Sequence, residues 1–133
     1  MSDVTNIVNA DEIAEIKPIV LTFTDTNQVY TLEFNRNTVA WAEKSGFPLN
    51  PMNGQEILME KPMSVIEDLF YYAFQMHHRG ISKSVTDKIL YEDLGGITSA
   101  MLERLVALHM KAYGTLITND EAKPKNPTLA VEM

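Results

Sequence analysis

The sequence contains no cysteine, which removes disulfide bonds and thiolate metal ligands from the chemistry open to the chain. Basic residues are also scarce, since 11 Lys and Arg stand against 18 Asp and Glu and the net charge is −7. A protein that binds nucleic acid through its phosphates needs clustered Lys and Arg. The charge balance therefore argues against nucleic acid as a partner and favours another protein.

Long apolar runs are missing as well. No stretch approaches the roughly 18–20 apolar residues with which a helix crosses a bilayer. The first residues, Met1 to Asn6, lack the basic and apolar regions of a secretory signal. Because the lack of cysteine also suits a reducing compartment, these features predict a cytoplasmic protein that does not bind membranes.

At 133 residues the chain has the length of one domain. Residues 1–18 are polar and acidic, end at a proline, and are predicted to be a flexible arm. Residues 117–133 carry two prolines and little apolar periodicity, which predicts a flexible tail. The folded part is expected to be a single α+β domain over residues 19–116, long enough to bury one core.

Two alternating segments, residues 19–24 and 29–34, predict the strands of a β-hairpin, because every second residue in each is apolar. Residues 25–28 supply polar side chains for the turn. A hairpin alone is marginal in water, so helices must cover its apolar face. The residues predicted to face inward are Ile19, Leu21, Phe23, Tyr30, Leu32 and Phe34.

The first predicted helix begins directly after the second strand. Asn35 is its predicted N-cap, and Gly46 is predicted to end it. A loop then leads to residues 55–59, whose pattern fits either a short helix or an extended segment. The inward positions are predicted to be Val39, Ala42 or Trp41, and Phe47.

The longest predicted helix follows Pro62 and ends at Gly80. Ser64 and Glu67 fit a capping box, in which each side chain satisfies a free backbone N–H group of the first turn. Apolar residues then recur at helical spacing and form one broad stripe. Its members are Ile66, Leu69, Phe70, Ala73, Phe74 and, at the end, His77.

Two further helices are predicted in the second half of the chain. The first covers about residues 85–94, with Ser84 as its cap and Gly95-Gly96 as its end. The second covers about residues 98–116 and is apolar over more than half of its circumference. Together the elements predict an α+β fold in which an N-terminal β-hairpin packs on a bundle of three to four helices.

The three histidines are the obvious candidates for a metal site. His77 and His78 are neighbours on a predicted helix and point about 100° apart, so they cannot bind one ion from one face. His109 lies between Leu105 and Tyr113, without a second ligand one turn away. We therefore predict no metal site, and we expect His77 to be a partly buried residue at a helix end.

Paired acids and glycine motifs are the remaining candidates for catalysis. Glu67-Asp68 and Glu92-Asp93 are neighbours in sequence, whereas paired-carboxylate catalysis needs groups placed across a cleft. Gly95-Gly96 lacks the spacing of a phosphate-binding loop, and no G-x-S-x-G nucleophile motif is present. The sequence predicts a protein that is not an enzyme and that has no catalytic residues and no cofactor.

The helix pair over residues 84–113, with its Gly-Gly turn, resembles a helix-turn-helix and leaves a DNA-binding accessory regulator as an alternative. Its charge argues against that role, because Lys88, Arg104 and Lys111 are outnumbered by four acids.

The eight methionines indicate another use of the helices. Methionine fills irregular gaps in a core and also suits adaptable binding surfaces, and core packing is its more ordinary role. A broad apolar face on the last helix leaves surface that a partner or a second copy of the chain could cover. The methionines in or beside the helical part are Met52, Met59, Met63, Met76, Met101 and Met110.

Two blocks of sequence carry a resemblance to a known family. The first is VYTLEFNRNTV at residues 29–39, followed by EKSGF at residues 43–47. The second is LFYYAFQMHH at residues 69–78, followed by a helix that ends at LGG, residues 94–96. With these blocks in this order, residues 19–116 resemble the small tail assembly chaperones of phages and prophages of Gram-positive bacteria.

The resemblance implies a non-enzymatic chaperone that binds the tape measure and tail tube proteins during tail morphogenesis. It also implies a protein of the host cytoplasm that is absent from the finished virion. The family offers no catalytic or cofactor residues to carry over, and the residues that contact a partner stay unassigned. A longer frameshifted product is common in that family, and residues 119–133 lie where such an extension would begin. A structural head–tail connector of the virion is a further alternative.

Overall fold

The computed structural model describes residues 16–114. The predicted tail and nearly all of the predicted N-terminal arm therefore lie outside the described residues. Within the described part, a two-stranded antiparallel hairpin precedes five helices, which confirms the predicted α+β class. The additional helix is the segment around residues 55–59, which the sequence pattern left open between a helix and an extended run.

Strands β1 (Ile19–Phe23) and β2 (Gln28–Leu32) pair with Ile19 opposite Leu32. The predicted alternation is confirmed, because Ile19, Leu21 and Leu32 are buried while Val20 and Val29 are exposed. All six residues predicted to face inward are buried or packed against the core. The hairpin therefore has one covered face and one open face.

Helix α1 (Arg36–Lys44) is capped as predicted. The Oδ1 atom of Asn35 accepts hydrogen bonds from the backbone N–H of Thr38 at 2.8 Å and from its hydroxyl at 2.7 Å. The chain leaves the helix through Gly46, whose φ of 101° suits a residue without a Cβ. Ala42 is fully buried and Trp41 faces outward, which decides the alternative that the sequence left open.

Helix α2 (Gly54–Glu60) leads into α3 (Pro62–Gln75), and the predicted capping box of α3 is wrong. The helix already begins at Pro62, so Ser64 lies inside its first turn and no side chain caps it. Proline suits this first position because its missing N–H would have no partner within the helix. Helix α3 ends at Gln75, and a turn carries the chain to Gly80.

Helix α4 (Lys83–Lys88) continues as a π-helical segment, Ile89–Asp93, before the two glycines. Its cap is Ser82 rather than the predicted Ser84, since Ser82 Oγ accepts from the backbone N–H of Val85 at 3.3 Å. Helix α5 (Ser99–Lys111) begins after Thr98, whose hydroxyl accepts from the N–H of Met101 at 3.1 Å.

The core is built around α3. This helix packs against β2 and against α1, α2, α4 and α5, while β1 contacts α5. Four residues of the predicted stripe, Leu69, Phe70, Ala73 and Phe74, are completely buried at this centre. No helix between residues 16 and 114 combines the length and the apolar character needed to cross a membrane.

Candidate protein-binding surfaces

The structure separates the three histidines into different environments. His77 lies beyond the end of α3, where its side chain is 38% exposed and its Nε2 is 2.8 Å from Glu33 Oε1. His78 is more covered, and its Nε2 accepts a hydrogen bond from the backbone N–H of Thr31 at 2.9 Å. Across residues 16–114, no group of three or more potential ligand side chains is placed to hold a metal ion.

His109 is a core residue of α5. Its ring is fully buried and makes edge-to-face contacts with Phe34 and Phe47, with ring centroids 5.0 and 5.5 Å away. Neither ring nitrogen has a hydrogen-bond partner within the described part of the chain. Burial lowers the pKa of His109 to about 4, so the ring is neutral at pH 7 and packs as an aromatic side chain.

One of the two acid pairs, Glu67 and Asp68, is held in ion pairs between helices. Glu67 accepts a hydrogen bond from the Tyr91 hydroxyl at 2.5 Å, and this bond lowers the pKa of Glu67. Burial raises the pKa of the neighbouring Asp68, although Lys83 Nζ lies 3.8 Å away. Lys83 also reaches Asp87 at 3.0 Å, so this cluster joins α3 to α4. Neither Glu67 nor Asp68 is among the residues that line the two grooves described below.

In the helix pair α4–α5, the cations of α4 lie beside acids, whereas Arg104 and Lys111 are exposed on α5. Lys83 is surrounded by acids, and Lys88 Nζ lies 3.8 Å from Asp93. Gly95 and Gly96 adopt positive φ angles of 72° and 110° and reverse the chain between the two helices. The first turn of α5 brings no Lys or Arg to this face.

One groove lies between the start of α2 and the outer side of α5. It has a volume of about 720 Å³ and is lined by Met52, Met59 and Met110 together with Leu58 and Val106. We call it the methionine groove. Met52 and Met59 are 86% and 82% exposed, so their side chains stand free at its margin. A Cβ on Gly54 would lie 3.0 Å from Met110 Cε, so the glycine makes room for that side chain.

A second groove lies between α1 and the turn that follows α3. Its volume is about 690 Å³, and Trp41, Tyr71, Asn37, Gln75 and Arg79 are among its lining residues. We call it the tryptophan groove. Trp41 is 45% exposed, with its ring edge-on to Tyr72 at 5.3 Å.

Gln75 stiffens one wall of the tryptophan groove. Its Nε2 donates to the carbonyl of Ile81 at 3.2 Å, and its Oε1 accepts from the N–H of Gly80 at 3.2 Å. These bonds hold the turn after α3 against the helix. The groove is therefore a formed feature of the fold.

A family described as "Domain of unknown function (DUF5055)" matches residues 4–133. The chain belongs to the DUF5055 family. No curated protein and no solved structure matches it. The family description assigns no activity, so a function for this DUF5055 chain has to be argued from its surfaces.

In this DUF5055 chain, the methionines singled out in the sequence divide between core and surface. Met52, Met59 and Met63 are exposed, and Met101 and Met110 pack against the core. Met76 lines the tryptophan groove. The sequence pattern did not identify either groove, because each is formed by elements far apart in the chain. The sequence signal for the tryptophan groove was the choice between Trp41 and Ala42 as the inward residue of α1. Because Ala42 is the buried one, Trp41 is exposed at the groove.

Proposed function

We propose that this protein is a non-enzymatic assembly chaperone of a phage or prophage tail, which holds the tape measure and tail tube proteins through the methionine groove. The observation that carries the proposal is the pair of methionine side chains, Met52 and Met59, that stand exposed beside an apolar groove. Their placement supports a surface that receives apolar segments of another protein.

Methionine suits such a task for a physical reason. Its unbranched side chain has three rotatable bonds and a polarisable sulfur, so it adapts to partners of different shape. A chaperone must hold apolar segments that will later be buried elsewhere, and it must release them. A flexible apolar surface meets both needs better than a closely fitting pocket.

The charge of the chain supports the same role. A net charge of −7 keeps a domain with exposed methionines soluble through mutual repulsion. Glu56 lies among the lining residues of the methionine groove and gives its margin a polar border. We place the protein in the host cytoplasm and outside the finished virion, in keeping with the resemblance of residues 19–116.

The test is co-purification with the tape measure and tail tube proteins encoded in the same phage or prophage. Met52→Ser combined with Met59→Ser should reduce the retained partner by about tenfold, because it removes two large apolar side chains that a partner would bury. Both residues are exposed, so the fold should survive. Val20→Ser, which removes an exposed apolar side chain from the open face of the hairpin, is the matched control and should retain the partner.

Three results would contradict the proposal. The first is failure of the unaltered chain to retain either tail protein even when co-expressed with it. The second is detection of the chain by mass spectrometry as a stoichiometric component of purified particles, which would favour the head–tail connector. A shift of DNA in a gel at moderate salt would instead favour the regulator.

A further inference from the structure

The tryptophan groove differs in chemistry from the methionine groove. Its lining combines two aromatic rings, Trp41 and Tyr71, with the amides of Asn37 and Gln75 and the guanidinium of Arg79. Within residues 16–114, the Trp41 indole N–H and the Asn37 side chain make no hydrogen bond, and no acid lies within 4 Å of Arg79. Flat rings beside free donors fit a ligand that presents rings or apolar edges together with free carbonyl groups.

An extended proline-containing peptide has that chemistry. In the polyproline II conformation the backbone makes no internal hydrogen bonds, so its carbonyl groups accept from donors on the receptor. Prolines three residues apart then lie on one edge of the peptide and pack on aromatic side chains. Arg79, at the margin of the groove, favours a ligand with a carboxylate beside the prolines.

The chain itself contains such a segment. Residues 120–127 read DEAKPKNP, so Pro124 and Pro127 are three residues apart and Asp120 and Glu121 precede them. Two lysines in the same segment balance the two acids, so the carboxylates act locally, at its start. A second pair with the same spacing, Pro48 and Pro51, is part of the described fold, where the intervening Leu49 is buried. The pair at 124 and 127 belongs to the part of the chain that follows the described residues.

The segment is long enough to reach the groove. Four ring contacts of 5.2 to 5.5 Å lead from Tyr113 through His109, Phe47 and Tyr72 to Trp41. The ring centroids of Tyr113 and Trp41 are therefore at most about 21 Å apart. The ten residue-to-residue steps from Gly114 to Pro124 span up to about 33 Å when extended, which leaves length for a path around the surface.

We infer that the tryptophan groove is a binding site for a Pro-x-x-Pro segment preceded by carboxylates and that its occupant is residues 120–127 of the same chain. Pro124 and Pro127 pack on the rings of Trp41 and Tyr71, and Asp120 or Glu121 pairs with Arg79. The methionine groove is a different surface, so this contact does not depend on the proposed chaperone function. It holds the end of the domain against α1 while the methionine groove stays open.

Trp41 is the single tryptophan of the chain, so its fluorescence reports on the groove directly. In the full chain, Pro124→Ala combined with Pro127→Ala should move the emission maximum to longer wavelength. It should also raise the acrylamide quenching constant of Trp41 roughly twofold, because the two prolines no longer shield the indole ring from the quencher. The matched control is Leu129→Ala combined with Val131→Ala, which changes two apolar residues of the same tail and should leave both readings unaltered. The urea midpoint of each variant checks that the domain is intact.

Asp120→Asn combined with Glu121→Gln should give a smaller change in the same direction, because it removes only the pairing with Arg79. The inference is overturned if the proline variant matches the unaltered chain, or if the control variant shifts as much as the proline variant. It is also overturned if the signal depends on protein concentration, because the occupant would then come from a second copy. Met52→Ser with Met59→Ser should leave the Trp41 signal unchanged, which separates this result from the test of the chaperone function.

Discussion

At the scale of single residues, His109 is the least expected side chain of the core. It is completely buried, and neither ring nitrogen has a partner among residues 16–114. An unpaired buried polar group costs about 1–3 kcal/mol. The rings of Phe34, Phe47 and Tyr113 surround the imidazole edge-to-face and offset part of that cost.

His109→Leu should therefore stabilise the protein. At pH 7 we expect its free energy of unfolding to rise by about 1–2 kcal/mol, because an apolar side chain of similar volume replaces unpaired polar atoms. The advantage should grow at lower pH. Burial lowers the pKa of His109 from 6.5 to about 4. Between these pH values the imidazole is protonated in the unfolded chain and neutral in the folded chain. The contribution of the neutral ring to the free energy of unfolding is fully present above pH 6.5. It falls by about 3 kcal/mol as the pH drops to about 4.

Urea unfolding of both proteins between pH 4 and 7.5 measures this effect. Carboxylates and His78 titrate in both proteins, so the difference between the two curves isolates His109. Leu108→Ala serves as a core control and should lower stability by about 2–5 kcal/mol at every pH. A loss of stability in His109→Leu at pH 7 would mean that the ring contacts outweigh the unpaired nitrogens.

At the scale of secondary-structure elements, the outer edge of β2 is closed by the end of α3. The N–H of Glu33 donates to the carbonyl of Ala73 at 2.9 Å, and the N–H of Thr31 donates to His78 Nε2 at 2.9 Å. A helix end and one imidazole thus take the place of a third strand. Burial lowers the pKa of His78, which keeps the ring neutral and its Nε2 able to accept.

His78→Ala should loosen this edge. It removes the acceptor of the Thr31 N–H and the ring that packs on Tyr30 and Phe74, so we expect a loss of about 1–2 kcal/mol in the free energy of unfolding. The adjacent His77→Ala is the matched control. Its side-chain hydrogen bond with Glu33 is exposed and should contribute less than about 0.5 kcal/mol. Equal losses in the two variants, measured by urea unfolding and by hydrogen exchange of the Thr31 amide, would contradict this account.

At the scale of the whole molecule, apolar exposure is uneven. Met52, Met59 and Met63 are the three methionines with strongly exposed side chains in the described part, and they belong to α2, the loop before it and the start of α3. The chain as a whole has a net charge of −7. The molecule therefore combines overall charge repulsion with a local apolar surface.

Mild peroxide treatment should separate this surface from the core. Met52 and Met59 should form sulfoxides before Met101 and Met110, because the oxidant reaches exposed sulfur first. Sulfoxide is polar, so binding of a tail protein should fall while the urea midpoint stays unchanged. Peptide mass spectrometry gives the order of oxidation. The Met52→Ser, Met59→Ser variant should show no further loss of binding, and an equal oxidation of all methionines would contradict the assignment.

Several elements of this fold followed from local sequence. The alternation at 19–24 and 29–34 specified which face of the hairpin is buried, and the Asn35 cap and the Gly46 end set the limits of α1. Alternation and capping depend on neighbours within a few residues, so they can be recognised along the chain. The capping box of Ser64 and Glu67 also looked local, but Pro62 starts the helix earlier.

The fold class, the buried faces of the strands and the centre of the α3 stripe, Leu69 to Phe74, followed from local sequence, because side-chain period follows from backbone geometry. The ends of the stripe were wrong, since Val65 rather than Ile66 is buried and His77 is exposed. Only the tertiary structure decided that Trp41 faces outward and that Glu67 binds Tyr91, 24 residues away. It also brought α2 to α5 at one groove and α1 to the end of α3 at the other. These contacts join segments whose separation along the chain leaves no periodic signal, so they became visible only when the core had packed.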